Sequence, residues 1–242
     1  MPGAAMPGRM DRVTTPASSP DPRQGGFWRA TTVVYWYVVV ECCFLLAAAP
    51  GLAGVLLLER HPSNIPLYAL CLVPLGPAFS AAVSTMAARA SADEPNVWPR
   101  YWRAYVRNLG DVLWVWIPAL ALATVLGTTV AFGASAGVDM FFGGAAIVLL
   151  VALALWSSHA LVIASFFRFR ARDIARLALY YLAAKPLVTL GAASYLVLAT
   201  ALVTFGSDWM LALAAVVFAA FAGANARPMI ADVRARFTAD AE

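Results

Sequence analysis

Two long apolar runs bracket a short segment dense in arginine and aromatic residues, and this pattern limits the chain more than any other feature. The first run spans Leu67 to Ala88, the basic segment Pro95 to Asn108, and the second run Val112 to Thr128. A helix needs about 20 apolar residues to cross the hydrocarbon core of a bilayer. Both runs come close to that length, and the arginines between them suit the headgroup region. Composition agrees, since 62% of residues are hydrophobic and 12% are charged, about half the charged share of a soluble domain. The charges also stand in clusters separated by runs nearly free of them. The expected fold class is therefore all-α, a polytopic membrane helix bundle.

Taken in order, residues 1–26 carry five prolines among Gly, Ser and Ala and read as a disordered tail. Residues 27–229 read as the transmembrane domain and 230–242 as a polar cytoplasmic tail. Six spans are expected. The first runs from about Ala30 to Leu58, opened by Phe27 and Trp28, with a bend at Pro50-Gly51. The second starts near Ile65, where Pro74 and Pro77 should distort its outer half and Gly76, Ser80 and Ser84 form a stripe for close helix approach. The third covers about Val112 to Phe132, with Pro118 inside, and the fourth runs from an Asp139 cap to about Phe167. The fifth is about Pro186 to Phe205. The sixth follows a Ser207-Asp208 cap, from about Trp209 to Ala226, with Ala215, Ala219 and Gly223 as a second small-residue stripe.

Two short basic amphipathic helices are expected beside the spans. In the first, Trp98, Trp102, Tyr105 and Leu109 share one face at about 100° per residue, and Arg100, Arg103 and Arg107 share the other. In the second, Arg168, Arg172 and Arg176 oppose Ile174, Leu177 and Tyr181. With six spans, all of the 17 cationic residues except Arg60 fall on the side of the termini. The positive-inside rule then places both termini in the cytoplasm. The arginines suit anionic lipid headgroups or a partner's cytoplasmic surface. Because they flank spans instead of forming one continuous patch, no nucleic-acid partner is expected.

Few residues suggest chemistry. Glu41 lies about 15 Å into the first span at 1.5 Å per residue. An ionisable group at that depth is a functional candidate by default, and otherwise a neutral acid bonded to a neighbouring helix. His159, behind Ser157 and Ser158 in the fourth span, is a candidate partner for Glu41 or else a packing residue. Cys42, Cys43 and Cys71 read as free thiols acting as small hydrophobes. No nucleophile elbow, zinc-protease motif or phosphate loop is present. No catalytic residue, metal or cofactor is therefore expected, and no enzyme.

The run Leu72-Val73-Pro74-Leu75-Gly76-Pro77-Ala78, and the segment Trp102 to Asn108 that follows it, together resemble the YesL-like bacterial membrane family, a domain of unknown function. Pro74, Gly76, Pro77, Ala78 and Asn108 carry the likeness. The stretch Asp173 to Leu190 is also similar, so the resemblance covers about Ala30 to Ala226. It departs at Leu75, where the family often has threonine, and in an extra loop after the first span. The resemblance implies the cytoplasmic membrane of a bacterium and an accessory role in carbohydrate uptake, with transporter subunits as partners. From the residues themselves, an accessory component competes with a small solute or proton-coupled carrier built on Glu41, His159 and the proline-interrupted spans.

Overall fold

The structure, a computed structural model, describes residues 26–89 and 96–237. Most of the expected N-terminal tail, the linker after Arg89 and the last five residues lie outside the described residues. So do the side chains of Phe27 and Trp28. Ten α-helices follow in order: α1 (Gly26–Leu57), α2 (Ile65–Cys71), α3 (Leu75–Ala88), α4 (Val97–Phe132), α5 (Met140–Phe166), α6 (Ala171–Ala184), α7 (Pro186–Phe205), α8 (Asp208–Leu213), α9 (Ala215–Asn225) and α10 (Arg227–Phe237). No strand occurs among the described residues. Four of the described helices are each long and apolar enough to cross a bilayer, and the number rises to as many as six where each of two bent pairs counts as one span. The chain is a multi-pass membrane protein.

The short helix α3 stands at the centre, packed against α1, α4, α5 and α9. Its sequence allows this crowding. Ala78, Ala81 and Ala82 are fully buried, and no side chain on that face holds the neighbours apart. The expected stripes both serve here. Gly76 lies under the Trp116 ring of α4, and Gly223 of α9 faces Val83 of α3. The prolines act as expected in the second span, where α2 and α3 meet at 47° across residues 72–74. By contrast, α1 continues through Pro50 and α4 through Pro118.

Three expectations are corrected. The first basic segment is not a separate interfacial helix but the opening of α4, whose 36 residues reach about 54 Å. That is well beyond the roughly 30 Å of hydrocarbon, so the basic segment projects past it. Its buried face is Val97, Tyr101, Ala104 and Asn108, and the Trp98–Trp102–Tyr105 ladder runs along the flank. Secondly, the sixth span breaks at Ala214 into α8 and α9. Thirdly, the start of the expected polar tail is α10, turned 50° from α9, with Met229 and Val233 buried. Arg227, Asp232, Arg234 and Arg236 make α10 far more polar than the helices before it. The second basic helix is present as α6, with Ile174, Ala178 and Tyr181 buried and Arg172 and Arg176 exposed.

Capping follows the sequence at one end and departs from it at another. Asp139 accepts from the Phe141 amide at 2.8 Å and starts α5. The turn before it uses Gly137 at φ 74°, where a side chain would be strained. Ser207 makes no cap bond at α8. Asp208 reaches across to Arg60 instead, at 2.7 Å.

Candidate functional site

The two halves of the bundle are built differently. Toward the end of the bundle that carries the basic segments, its interior is filled. Toward the Arg60 end it holds a chamber of about 910 Å³. Phe44, Leu75, Phe79, Leu120, Leu153 and Phe218 are among its walls. Arg60, His61 and Asp208 stand at its rim, and Ser157, Ser158 and Tyr195 line its deep end.

The polar groups along these walls largely satisfy one another. Tyr68 donates to the Leu58 carbonyl at 3.1 Å, and the Trp116 indole to the Leu72 carbonyl at 2.9 Å. Ser158 and Tyr195 hydrogen-bond each other. His61 pairs with Ser63 at 2.8 Å. The chamber is thus an apolar space with a charged rim.

Beyond the chamber floor, polar side chains lock helices together. Asn108 donates to Ser80 Oγ at 3.2 Å and to the Ser165 carbonyl at 3.4 Å. Ser165 Oγ lies 2.9 Å from the same Ser80 oxygen. All three residues are buried, so this node joins α4, α3 and α5 where water is excluded. Tyr101 donates to the Ala78 carbonyl at 3.0 Å. Asn108 and Ala78, singled out by resemblance, therefore hold the packed half together.

Glu41 and His159 do not meet. Glu41 accepts from the Val216 amide at 3.0 Å, in the first turn of α9, and its other oxygen is buried without a partner. A carboxylate suits a helix N-terminus, where free amides and the helix dipole favour negative charge. The break at Ala214 creates that N-terminus inside the bundle. The Nδ1 of His159 lies 2.9 Å from the Leu155 carbonyl, and its Nε2 lies 3.3 Å from Thr189 Oγ1 on α7. Neither side chain lines the chamber, and His159 borders only a small separate pocket.

On the basic face, Arg100 is half-buried, and Arg103, Arg107, Arg168, Arg170, Arg172 and Arg176 are exposed. The Arg103 and Arg107 guanidiniums donate to the Pro99 carbonyl and to Asn108. None of the seven takes part in an ion pair among the described residues.

Asp232 on α10 gathers a different cluster. Tyr181 donates to it at 2.7 Å, Arg236 lies at 3.1 Å and Lys185 at 4.0 Å. The Tyr181 hydrogen bond, helped by Arg236 and Lys185, holds the Asp232 carboxyl below its ordinary 3.8. Burial, and then the bond to Asp232, push the Tyr181 hydroxyl up. A carboxyl with a depressed folded value stabilises docking above its ordinary range and loses that contribution as pH falls through the depressed value. Asp232→Asn is therefore expected to speed tryptic cleavage at Arg234 and Arg236 at pH 7. The wild-type protein should hold α10 equally well at pH 7 and pH 5, read by exchange of its backbone amides.

Residues 26–129 match the model of a family described as "Protein of unknown function, DUF624". The YesL-like resemblance is consistent with that match. The matched stretch includes Glu41, the Pro74–Ala78 element and Asn108, and stops short of His159 and α6. No curated protein and no solved structure matches the chain.

Proposed function

With residues 26–129 placed in a family described only as of unknown function, we propose that this membrane protein is an accessory or regulatory component of solute transport. Its setting in this reading is a bacterial cytoplasmic membrane, with both termini and the basic face in the cytoplasm. Carbohydrate is the solute class that the resemblance implies. One observation carries the proposal: the exposed arginines of the α4 opening and the α6 region are left without an ion-pair partner among the described residues. Exposed cations so arranged suit anionic headgroups and an acidic docking surface on a transporter subunit.

The competing carrier reading needs midplane polar groups facing a shared path. Glu41 and His159 are instead each engaged with a different helix. Purification from native membranes in mild detergent tests the proposal. Transporter subunits are expected to accompany the wild-type protein and to be lost on combined substitution of Arg168, Arg172 and Arg176 by glutamine. Recovery of the protein alone contradicts the accessory role. Loss of solute uptake in Glu41→Gln, with the protein still folded, would restore the carrier reading.

A further inference from the structure

The chamber at the Arg60 end has a shape and a chemistry that point to an occupant. Along α5 its wall extends from Leu150 to Leu161, about 16 Å at 1.5 Å per residue. Its volume of about 910 Å³ is near the top of the roughly 300–1,000 Å³ range of small-molecule sites. A sugar or an amino acid entering it would strip water from its polar groups and find few free partners. Tyr68, Trp116, Ser158 and Tyr195 already spend their hydrogen bonds within the protein. A hydrocarbon chain has no such loss.

The rim adds a second constraint. Arg60 is the one cation on that face among the described residues, and it stands against Asp208 with its side chain 66% exposed. One positive and one negative group side by side complement a head that also carries both signs. A purely anionic head would meet Asp208 and the neighbouring Glu59. The side of the chamber between α5 and α7 is held by few polar ties. Among the described residues, the hydrogen bonds joining α5 to α7 are Ser158–Tyr195 and His159–Thr189. Both lie at the chamber floor or beyond it, so no hydrogen bond ties the outer halves of these two helices.

We propose that the chamber binds a zwitterionic phospholipid, with an acyl chain between the helices, its phosphate at Arg60 and its ammonium at Asp208. The chain lies in contact with Leu120, Leu153 and Leu196, and its end lies between Ser157 and Leu161. This site is independent of any docking on the basic face, so either assignment stands without the other.

The test uses the full chain reconstituted in mixed phosphatidylethanolamine and phosphatidylglycerol vesicles. Each lipid is supplied in turn with a photoreactive group near the end of one acyl chain. The ethanolamine probe is expected to label peptides containing Leu150 to Leu161 or Tyr195 to Val203. Ala123→Trp and Ala199→Trp, which fill the chamber, should cut that labelling at least fivefold. Val197→Trp, on the exposed side of α7, should leave it unchanged. Arg60→Ala should reduce the preference for ethanolamine over glycerol probe at least threefold. Ala199→Leu serves as the milder filling variant should the tryptophans fail to fold. Labelling confined to exposed residues such as Val148 and Leu190, or insensitive to the filling variants, overturns the site. Equal labelling by both probes in the wild-type protein overturns the head assignment.

Discussion

Gly51→Ala is expected to destabilise the protein by about 3 kcal/mol, although alanine is the better helix former by about 1 kcal/mol. The reason is a close backbone crossing. At Gly51, α1 lies against the carbonyl of Cys71, where the second span breaks. A methyl group there would run into that oxygen and sit 2.8 Å from Pro74 Cγ and 3.0 Å from Leu75 Cδ1. The carbonyl is backbone, so no side-chain rotation relieves the clash. Gly110 is the internal control. It also lies inside a long helix, yet a methyl group added there meets nothing within 4 Å. Gly110→Ala should be neutral or slightly stabilising. Thermal unfolding in detergent micelles, followed by helical ellipticity, separates the two outcomes. Equal behaviour of the two variants would show that α1 does not approach the break as described.

Asn108→Leu is the second large effect, expected at about 2–3 kcal/mol. Leucine fills the space but leaves the Ser165 carbonyl without its side-chain donor, and Ser80 with Ser165 alone, where water is excluded. The cost is shared among three helices, so the loss should appear as cooperative unfolding and not as local fraying. Ser80→Ala and Ser165→Ala should each cost less. Their effects should fail to add to that of Asn108→Leu, because all three side chains belong to one network. Full additivity in double-mutant cycles, read by the same unfolding transitions, would contradict the node.

Much of this architecture was legible in residue order, and the failures have physical causes. The spans were visible because hydrocarbon tolerates few charges, and the bend at Pro74 because proline removes an amide. The small residues of α3 and α9 announced close packing, and the two helices do meet. The fusion of the basic segment into α4 could have been foreseen. Between Tyr101 and Ile117 the chain holds no proline and only Gly110 to weaken a continuous helix. The tail likewise gave a signal in Met229 and Val233, four residues apart, which form the buried edge of α10.

Other features had no local signature. The break at Ala214 sits in a run of Ala, Leu and Val, and the group that meets the amide beyond it, the carboxylate of Glu41, lies 175 residues away from Val216. The chamber is a property of how eight helices and the Arg60 loop diverge, which no single periodicity records. The Arg60–Asp208 pair joins the loop after α1 to the start of α8, 148 residues apart. The sequence did mark Arg60 as the isolated cation of its face, and that was the available clue.

The account depends most on the bundle's arrangement across the membrane, with the basic elements on one side and the turn before α5 on the other. Single cysteines test this most directly, in a background where Cys42, Cys43 and Cys71 are alanine. Ser135→Cys lies in the exposed turn and Arg172→Cys on the exposed side of α6. In intact cells a membrane-impermeant maleimide should label Ser135→Cys, and should reach Arg172→Cys only after the membrane is opened. Labelling of both positions from the same side, or of Arg172→Cys first, would contradict the topology and the assignment of each face.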